Sequence, residues 1–178
     1  MKKKTGKTIV VRVERCLGCK SCEIACAVEH SSAKNLEDAV RTREKPGYRV
    51  HVEACGPRSV PVHCNHCQDA PCVMACPTGA VYRDTEDGPV LFDRERCIGC
   101  RMCVQACPFG VIAVGPEGKG VLKCDLCVER LAAGREPACV EACPTNALCF
   151  CEEDEVVVDK RKRTAEKMVL AQQETGAE

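Results

Sequence analysis

The chain has 178 residues, with 26 basic and 26 acidic side chains and a formal net charge of zero, which excludes the electrostatic attraction behind most nucleic-acid binding. It contains no Trp, two Tyr and three Phe but nineteen Cys, so aromatic packing supplies little of any core. Metal-binding free energy becomes folding free energy where a site exists only in the folded chain. We therefore expect the metal-free chain to be largely disordered.

The first residues do not have the pattern of an export signal. The basic start at 1–4 is followed by only three apolar residues, Ile9–Val11, before Arg12, and a signal peptide needs a longer apolar segment. No stretch is apolar enough to cross a membrane, so we expect a cytoplasmic protein without a membrane span. Nineteen cysteines are also found in secreted disulfide scaffolds, but the missing signal argues against that class.

Short hairpins are predicted where apolar runs flank Gly, Pro or acidic turns. In chain order they join 48–53 to 59–63, 80–82 to 90–92, 111–114 to 121–122, and 147–150 to 156–158. Before the first hairpin, the polar stretch 31–45 predicts a helix or ordered loop that covers the first cysteine run. After the last, 163–173 predicts a helix, and the basic stretch 160–163 is interpreted as solvated rather than as a nucleic-acid site.

Sixteen of the nineteen cysteines fall into four compact runs, of which the last three end in Cys-Pro. Runs one to four are Cys16-x2-Cys19-x2-Cys22-x3-Cys26, Cys64-x2-Cys67-x4-Cys72-x3-Cys76, Cys97-x2-Cys100-x2-Cys103-x3-Cys107 and Cys124-x2-Cys127-x11-Cys139-x3-Cys143. This is the ligand spacing of cubane iron–sulfur clusters, in which three close thiolates hold one cluster and the fourth reaches another. Four runs predict four 4Fe-4S clusters, with all sixteen cysteines as ligands.

The spacing has a physical basis in the backbone. Two cysteines at x2 spacing surround a tight turn, and Gly18 and Gly99 stand where the backbone of runs one and three must approach a cluster closely. The last cysteine of a run lies one helical turn beyond the third and faces elsewhere. The proline that follows it in runs two to four ends the helix.

The crossing rule assigns each cluster three cysteines from one run and the last cysteine of a paired run. The predicted sets are Cys64, Cys67, Cys72 and Cys107; Cys97, Cys100, Cys103 and Cys76; Cys16, Cys19, Cys22 and Cys143; and Cys124, Cys127, Cys139 and Cys26. Runs two and three then form an intact ferredoxin-like pair, and runs one and four a split one.

The nesting of the runs predicts the architecture. We expect an α+β fold of two ferredoxin-like halves, with short β-hairpins and short helices wrapped around the four clusters. The inner half covers 56–114, the outer half is split between 8–55 and 115–160, and 161–178 forms a C-terminal tail or helix.

Alternatives remain at single sites. Run four, taken alone, has a spacing that a structural zinc site also uses. Cys55, Cys149 and Cys151 lie outside the runs, and we expect one of the pair that flanks Phe150 to face inward as a small apolar residue. No histidine is needed as a ligand, but His66 inside run two is either a hydrogen-bond donor to a cluster sulfur or a purely structural residue.

The runs resemble a known family. The order of the four runs, the gap in Cys67-Gln-Asp-Ala-Pro-Cys72, the long gap in run four and Cys76-Pro-Thr-Gly-Ala80 resemble the four-cluster iron–sulfur subunits of the dimethyl sulfoxide reductase type. The resemblance covers about residues 8–160. Within that family the chain is similar to the soluble subunits of formate dehydrogenase/hydrogenase, carbon monoxide dehydrogenase and tungsten aldehyde oxidoreductase systems of anaerobic metabolism. The stretch from Cys26 to Leu36 resembles the carbon monoxide dehydrogenase type.

The resemblance implies a non-catalytic subunit of a hetero-oligomer. Such subunits relay single electrons between a catalytic oxidoreductase subunit and an acceptor, such as a hydrogenase or another redox protein. The alternative is an iron–sulfur cluster assembly or maturation protein. An enzyme in its own right is disfavoured, because the sequence has no Gly-rich dinucleotide loop, no paired nucleophile and base, and no cluster set that lacks a ligand.

Overall fold

A computed structural model describes residues 6–42, 46–115, 118 and 120–175. Its strands are short and form antiparallel two-stranded ribbons. They are β1 (Lys7–Val11), β2 (Val50–Cys55), β3 (Arg58–His63), β4 (Val81–Arg83), β5 (Val90–Phe92), β6 (Ala113–Val114), β7 (Val121–Leu122) and β8 (Leu148–Glu152). The helices are α1 (Ser21–Glu29), α2 (Leu36–Arg41), α3 (Pro71–Met74), α4 (Met102–Ala106), α5 (Val128–Ala132), α6 (Ala138–Glu141) and α7 (Glu153–Thr175), and a 3-10 turn covers Val13–Arg15. The mixture of helices and short strand pairs confirms the α+β prediction.

Three of the four predicted hairpins are present. β2 pairs with β3, β4 with β5 and β6 with β7. Part of the predicted turn between β6 and β7, at 116–117, lies outside the described residues. The stretch 31–45 contains α2, whose first turn is capped by the Asn35 side chain, which accepts a hydrogen bond from the Asp38 N–H at 2.9 Å. The rest of that prediction, at 43–45, lies outside the described residues.

The fourth predicted hairpin is wrong. β8 pairs with β1, from Lys7 opposite Glu152 to Val11 opposite Leu148, and residues 156–158 belong to α7 instead of a strand. The buried Ile9 and Leu148 share one apolar cluster, which gives β8 a better partner than the valines could. Acidic residues in the first turn of α7 favour a helix start, since they complement the helix dipole. The predicted helix at 163–173 is therefore real but begins at Glu153.

The buried side chains form two separate apolar clusters. The first contains residues from the first third of the chain and from its C-terminal part: Ile9, Cys22, Cys26, Val50, Val52, Cys139, Val140 and Leu148. The second gathers the middle of the chain: Ala70, Cys72, Val81, Val90, Cys103, Ile112 and Val121. Both clusters contain cysteines of the four runs, so the packing of the core and the thiol sites cannot be separated.

The helix α7 extends from β8 along the side of β1. Its Arg163 guanidinium forms an ion pair with Glu14 in the 3-10 turn, and Met168 and Leu170 are exposed. Among the described helices, none combines the length and the apolar character that a bilayer span requires.

Candidate metal centres

The four cysteine runs share one backbone turn. The residue two positions after the first cysteine has a left-handed φ in every run, at Gly18 (68°), His66 (46°), Gly99 (74°) and Leu126 (61°). A side chain costs about 1–2 kcal/mol in this conformation, which runs one and three avoid with glycine. A Cβ at Gly18 would also lie 2.6 Å from the Ser59 hydroxyl oxygen, so the Ser59 side chain would have to move.

The turn directs a backbone N–H at the first sulfur of a run. His66 N–H donates to Cys64 Sγ at 3.4 Å, and Leu126 N–H donates to Cys124 Sγ at 3.4 Å. Amide donors to sulfur favour the thiolate form and are among the groups that set the potential of an iron–sulfur cluster. The two runs without glycine thus use the same local geometry despite their side chains.

Short helices place the third and fourth cysteines of each run one turn apart. These pairs are Cys22 and Cys26 in α1, Cys72 and Cys76 at α3, Cys103 and Cys107 at α4, and Cys139 and Cys143 at α6. α1 has nine residues, whereas α3, α4 and α6 have four or five. Only the three short helices are followed by a proline after the fourth cysteine, and each ends two or three residues before it, which agrees with the predicted role of that proline.

Four thiols from opposite ends of the chain line one cavity. Cys16, Cys19 and Cys22 of run one face this cavity together with Cys143, the last cysteine of run four, and Leu148 also lines it. The β1–β8 pair carries run one and the end of run four to the same place. The cavity contains the donors of one predicted set.

In the two inner runs, the last cysteine of each run affects the pKa of a thiol in the other run. Burial raises the pKa of Cys72, and the negative charge of Cys107 adds to the increase. Burial likewise raises the pKa of Cys103, to which the charge of Cys76 adds. The last cysteine of each inner run is therefore an electrostatic neighbour of the other run.

Burial raises the pKa values of the first three thiols of run four. Burial raises the pKa of Cys124, followed by the charges of Cys64, Asp125 and Cys26. Burial also raises the pKa of Cys127, to about 11, and that of Cys139, with Cys26 contributing to both. A metal must displace protons from such thiols, so binding is expected to release protons.

His66 leaves a buried donor inside run two. Its Nδ1 accepts the Val90 N–H at 3.0 Å, and burial, followed by the charge of Lys123, lowers the pKa of His66 to about 3. The neutral ring therefore carries its proton on Nε2, which is buried and has no hydrogen-bond partner among the described residues. A cluster sulfide or thiolate is an acceptor that suits this N–H, so the chemistry of the donor set fits an iron–sulfur cluster.

A charged network that the sequence did not predict lies beside Cys26. His30 donates from Nδ1 to the Cys26 carbonyl oxygen at 2.7 Å and from Nε2 to the Asp125 carboxylate at 3.2 Å. Arg49 donates from its guanidinium to Asp125 at 2.7 Å and from its backbone N–H to Cys26 Sγ at 3.3 Å. Burial alone would lower the pKa of His30, but its hydrogen bonds to Asp125 and Cys26 raise it to about 9.

The same network contains a group of possible single-ion ligands. His30, Asp125 and Cys127 place ligand atoms within 4.8 Å of one another. A protonated His30 and the Arg49 guanidinium both surround the Asp125 carboxylate, and two positive charges there disfavour a bound cation. We interpret these hydrogen bonds as a network that holds Cys26 in its orientation.

Cys55, Cys149 and Cys151 lie outside the four runs. Cys55 is exposed, and Cys149 donates to the Asn146 carbonyl oxygen at 3.1 Å. Cys149 and Cys151 are both half-buried, so the expectation that one of them faces inward is wrong. The reason is strand alternation, which puts both on the face opposite Leu148 and Phe150, and those two residues pack against the first apolar cluster.

Free thiols with the turns, helices and amide donors described above define an iron–sulfur protein. The sixteen cysteines of the four runs are free in the structure. Residues 58–153 match the family model for a 4Fe-4S dicluster domain, and residues 13–29 match a 4Fe-4S binding domain. The chain belongs to the 4Fe-4S dicluster family.

Known relatives match over most of their length. The chain is 39% identical over 177 residues to an iron-sulfur protein of Rhodospirillum rubrum, covering 93% of this chain and 92% of the relative. It is 41% identical over 172 residues to the thiosulfate reductase electron transfer subunit PhsB of Salmonella typhi, covering 90% and 82%. It is 39% identical over 178 residues to the electron transport protein HydN of Escherichia coli K12, covering 90% and 98%.

Proposed function

We propose that the protein is a non-catalytic electron-transfer subunit that relays single electrons through four 4Fe-4S clusters. The observation that carries this proposal is the cavity in which Cys16, Cys19 and Cys22 meet Cys143, because it supports sharing of ligands between runs. When bound, such clusters supply one-electron redox chemistry without bond making or breaking in a substrate. The names of two relatives, which are electron transfer and electron transport proteins, support the same role.

The ligand sets of the proposal are the four crossed sets predicted from the spacing. The shared cavity supports the first, and the charge effects of Cys107 on Cys72 and of Cys76 on Cys103 support the inner two. The charge effect of Cys26 on the first three thiols of run four supports the last set. The two separate apolar clusters support a division into an outer and an inner half, although Val121 of the outer range packs in the inner cluster.

We base the order of the relay on the electrostatic effects that thiols of one set have on thiols of another. The charge of Cys22 reaches Cys139, which favours a neighbouring position for the two outer sets. The charge of Cys64 reaches Cys124, which favours a junction between run four and run two. We therefore order the sets by their three-cysteine runs as one, four, two and three.

The ends of this order are the most exposed cysteines of the runs. Cys19 in run one and Cys100 in run three are exposed, whereas the other fourteen are buried or half-buried. Leu17 and Ile98 occupy equivalent positions beside them and are 73% and 68% exposed. Exposed apolar side chains of this kind suit protein contacts, and we assign electron entry and exit to these two faces.

The partners in the proposal are a catalytic oxidoreductase subunit and a redox acceptor protein in a hetero-oligomer. The catalytic subunit is of the carbon monoxide dehydrogenase, formate dehydrogenase or tungsten/molybdenum aldehyde oxidoreductase type, and the name of the Salmonella typhi relative adds a thiosulfate reductase type. The acceptor is a hydrogenase or another redox subunit. The sixteen free thiols of the four runs suit a reducing compartment, so we place the complex in the cytoplasm.

A cluster-retention experiment separates this function from cluster assembly. We expect the anaerobically purified protein, reduced with dithionite and desalted, to reduce an oxidised ferredoxin while it keeps its iron and sulfide. The control mixes the same protein with a metal-free ferredoxin, to which it should donate no iron. Transfer of iron and sulfide to the metal-free ferredoxin, or failure to reduce the oxidised one, would contradict the proposal and favour an assembly protein.

A further inference from the structure

Lys123 is a buried cation next to run four. It follows β7 and precedes Cys124, and its side chain is only 3% exposed. Its Nζ donates to the Val90 carbonyl oxygen at 2.6 Å and to the Cys124 carbonyl oxygen at 2.8 Å. In the described part of the chain, no carboxylate forms an ion pair with this ammonium group. A buried charge is costly unless an opposite charge compensates it.

Hydrogen bonds connect this ammonium group to two cysteine runs. On one side, Lys123 donates to the Val90 carbonyl oxygen, and the Val90 backbone N–H donates to His66 Nδ1 at 3.0 Å. The backbone N–H of His66 in turn donates to Cys64 Sγ at 3.4 Å. On the other side, Lys123 donates to the carbonyl oxygen of Cys124. Lys123 therefore lies where runs two and four meet.

The charge of Lys123 acts on groups of run two. Burial raises the pKa of Cys72, and the ammonium group is the largest effect that opposes the increase. Burial lowers the pKa of His66, and Lys123 is the next largest cause. Both effects agree with the position that the hydrogen bonds define.

We propose that Lys123 is a positioning residue that supplies a fixed positive charge between the two central clusters and raises the reduction potentials of both. The inference rests on the proposed four-cluster relay. Thiolate-ligated clusters carry net negative charge, and their potentials depend on nearby charge and hydrogen bonding. In a low-dielectric interior, one positive charge near two anionic sites stabilises the added electron at either of them. The electron then crosses between the outer and inner halves at potentials that this side chain sets.

The test is an EPR-monitored redox titration of the purified protein with Lys123 replaced. We expect Lys123→Met to lower two of the four midpoint potentials, with at least a tenfold change in the equilibrium constant of each one-electron reduction, which corresponds to about 59 mV. Lys123→Arg, which keeps the charge, should restore both potentials toward wild type. Lys160→Met serves as the control, because Lys160 is exposed on α7 and its replacement changes the net charge equally.

A second uncharged variant covers the chance that Lys123→Met does not fold. Lys123→Gln keeps an amide donor for the carbonyl oxygens, and it should show the same two lowered potentials at wild-type iron content. Unchanged potentials in a variant that holds four clusters would overturn the role of Lys123 alone. Loss of iron in all three variants, including Lys123→Arg, would also overturn the proposed role and show that Lys123 is needed only for the structure. A wild-type protein with fewer than four clusters would instead contradict the proposed function.

Discussion

Removal of iron is expected to unfold most of the chain. The two apolar clusters are small, and cysteines of the four runs make up part of each. The chain has no Trp and only three Phe, so little apolar area remains to offset the conformational entropy of folding. The charge repulsion and burial that raise the pKa values of Cys72 and Cys103 also disfavour bringing thiolates together without metal.

Far-UV circular dichroism and amide NMR on the protein before and after anaerobic chelation measure this effect. The metal-free chain should lose its cooperative thermal transition and its dispersed amide resonances. An isolated α7 is marginal in water, so only residual helicity should remain. Reconstitution with iron and sulfide should restore the fold, which controls for chemical damage. A metal-free chain that keeps native dispersion would contradict the expectation.

The crossed ligand sets predict a specific pattern of non-additivity in iron content. Cys76→Ala, Cys100→Ala and Cys67→Ala should each cost one cluster, or about four iron atoms. If Cys76 serves the cluster of run three, the double variant Cys76→Ala/Cys100→Ala should lose no more iron than either single variant. The double variant Cys76→Ala/Cys67→Ala should lose about eight, because two clusters are affected.

Iron analysis on anaerobically purified variants measures this pattern, together with EPR of the reduced protein. Cys55→Ala is the matched control, because Cys55 is an exposed cysteine outside the runs and its loss should leave the iron content unchanged. Coordination of each cluster by a single run predicts the opposite outcome, with the larger loss in Cys76→Ala/Cys100→Ala. That result would contradict the crossed ligand sets and the relay order that depends on them.

Much of the fold can be predicted from local sequence patterns. The β2–β3, β4–β5 and β6–β7 hairpins follow from apolar runs around Gly and Pro turns, and the prolines after the last cysteines predict the ends of the short helices. The pairing of β1 with β8 was missed, although Thr8–Val11 is a run of β-branched residues. Its partner lies about 140 residues away, and no local pattern identifies such a partner.

The α7 helix shows a second limit. The valines at 156–158 have high strand propensity, but they follow four acidic residues and precede a long stretch of helix formers. Propensity over three residues is a weak prior that the neighbouring segments override. The consequence was a misplaced strand and a helix start predicted ten residues too late.

In the candidate site, too, the local features can be predicted from the sequence and the long-range contacts cannot. The sixteen cysteines are visible in the sequence because ligand spacing is local. His30 lies one helical turn after Cys26, but Arg49 and Asp125 come from distant parts of the sequence, and only the fold brings them to this network. Lys123 directly precedes Cys124, but its burial against Val90 depends on β5 and cannot be read from the run.

Iron and acid-labile sulfide analysis of the anaerobically purified protein tests the central claim most directly. Four 4Fe-4S clusters predict about 16 iron and about 16 sulfide per chain, with no zinc. Zinc in run four, or about half of that iron and sulfide, would contradict the four-cluster relay.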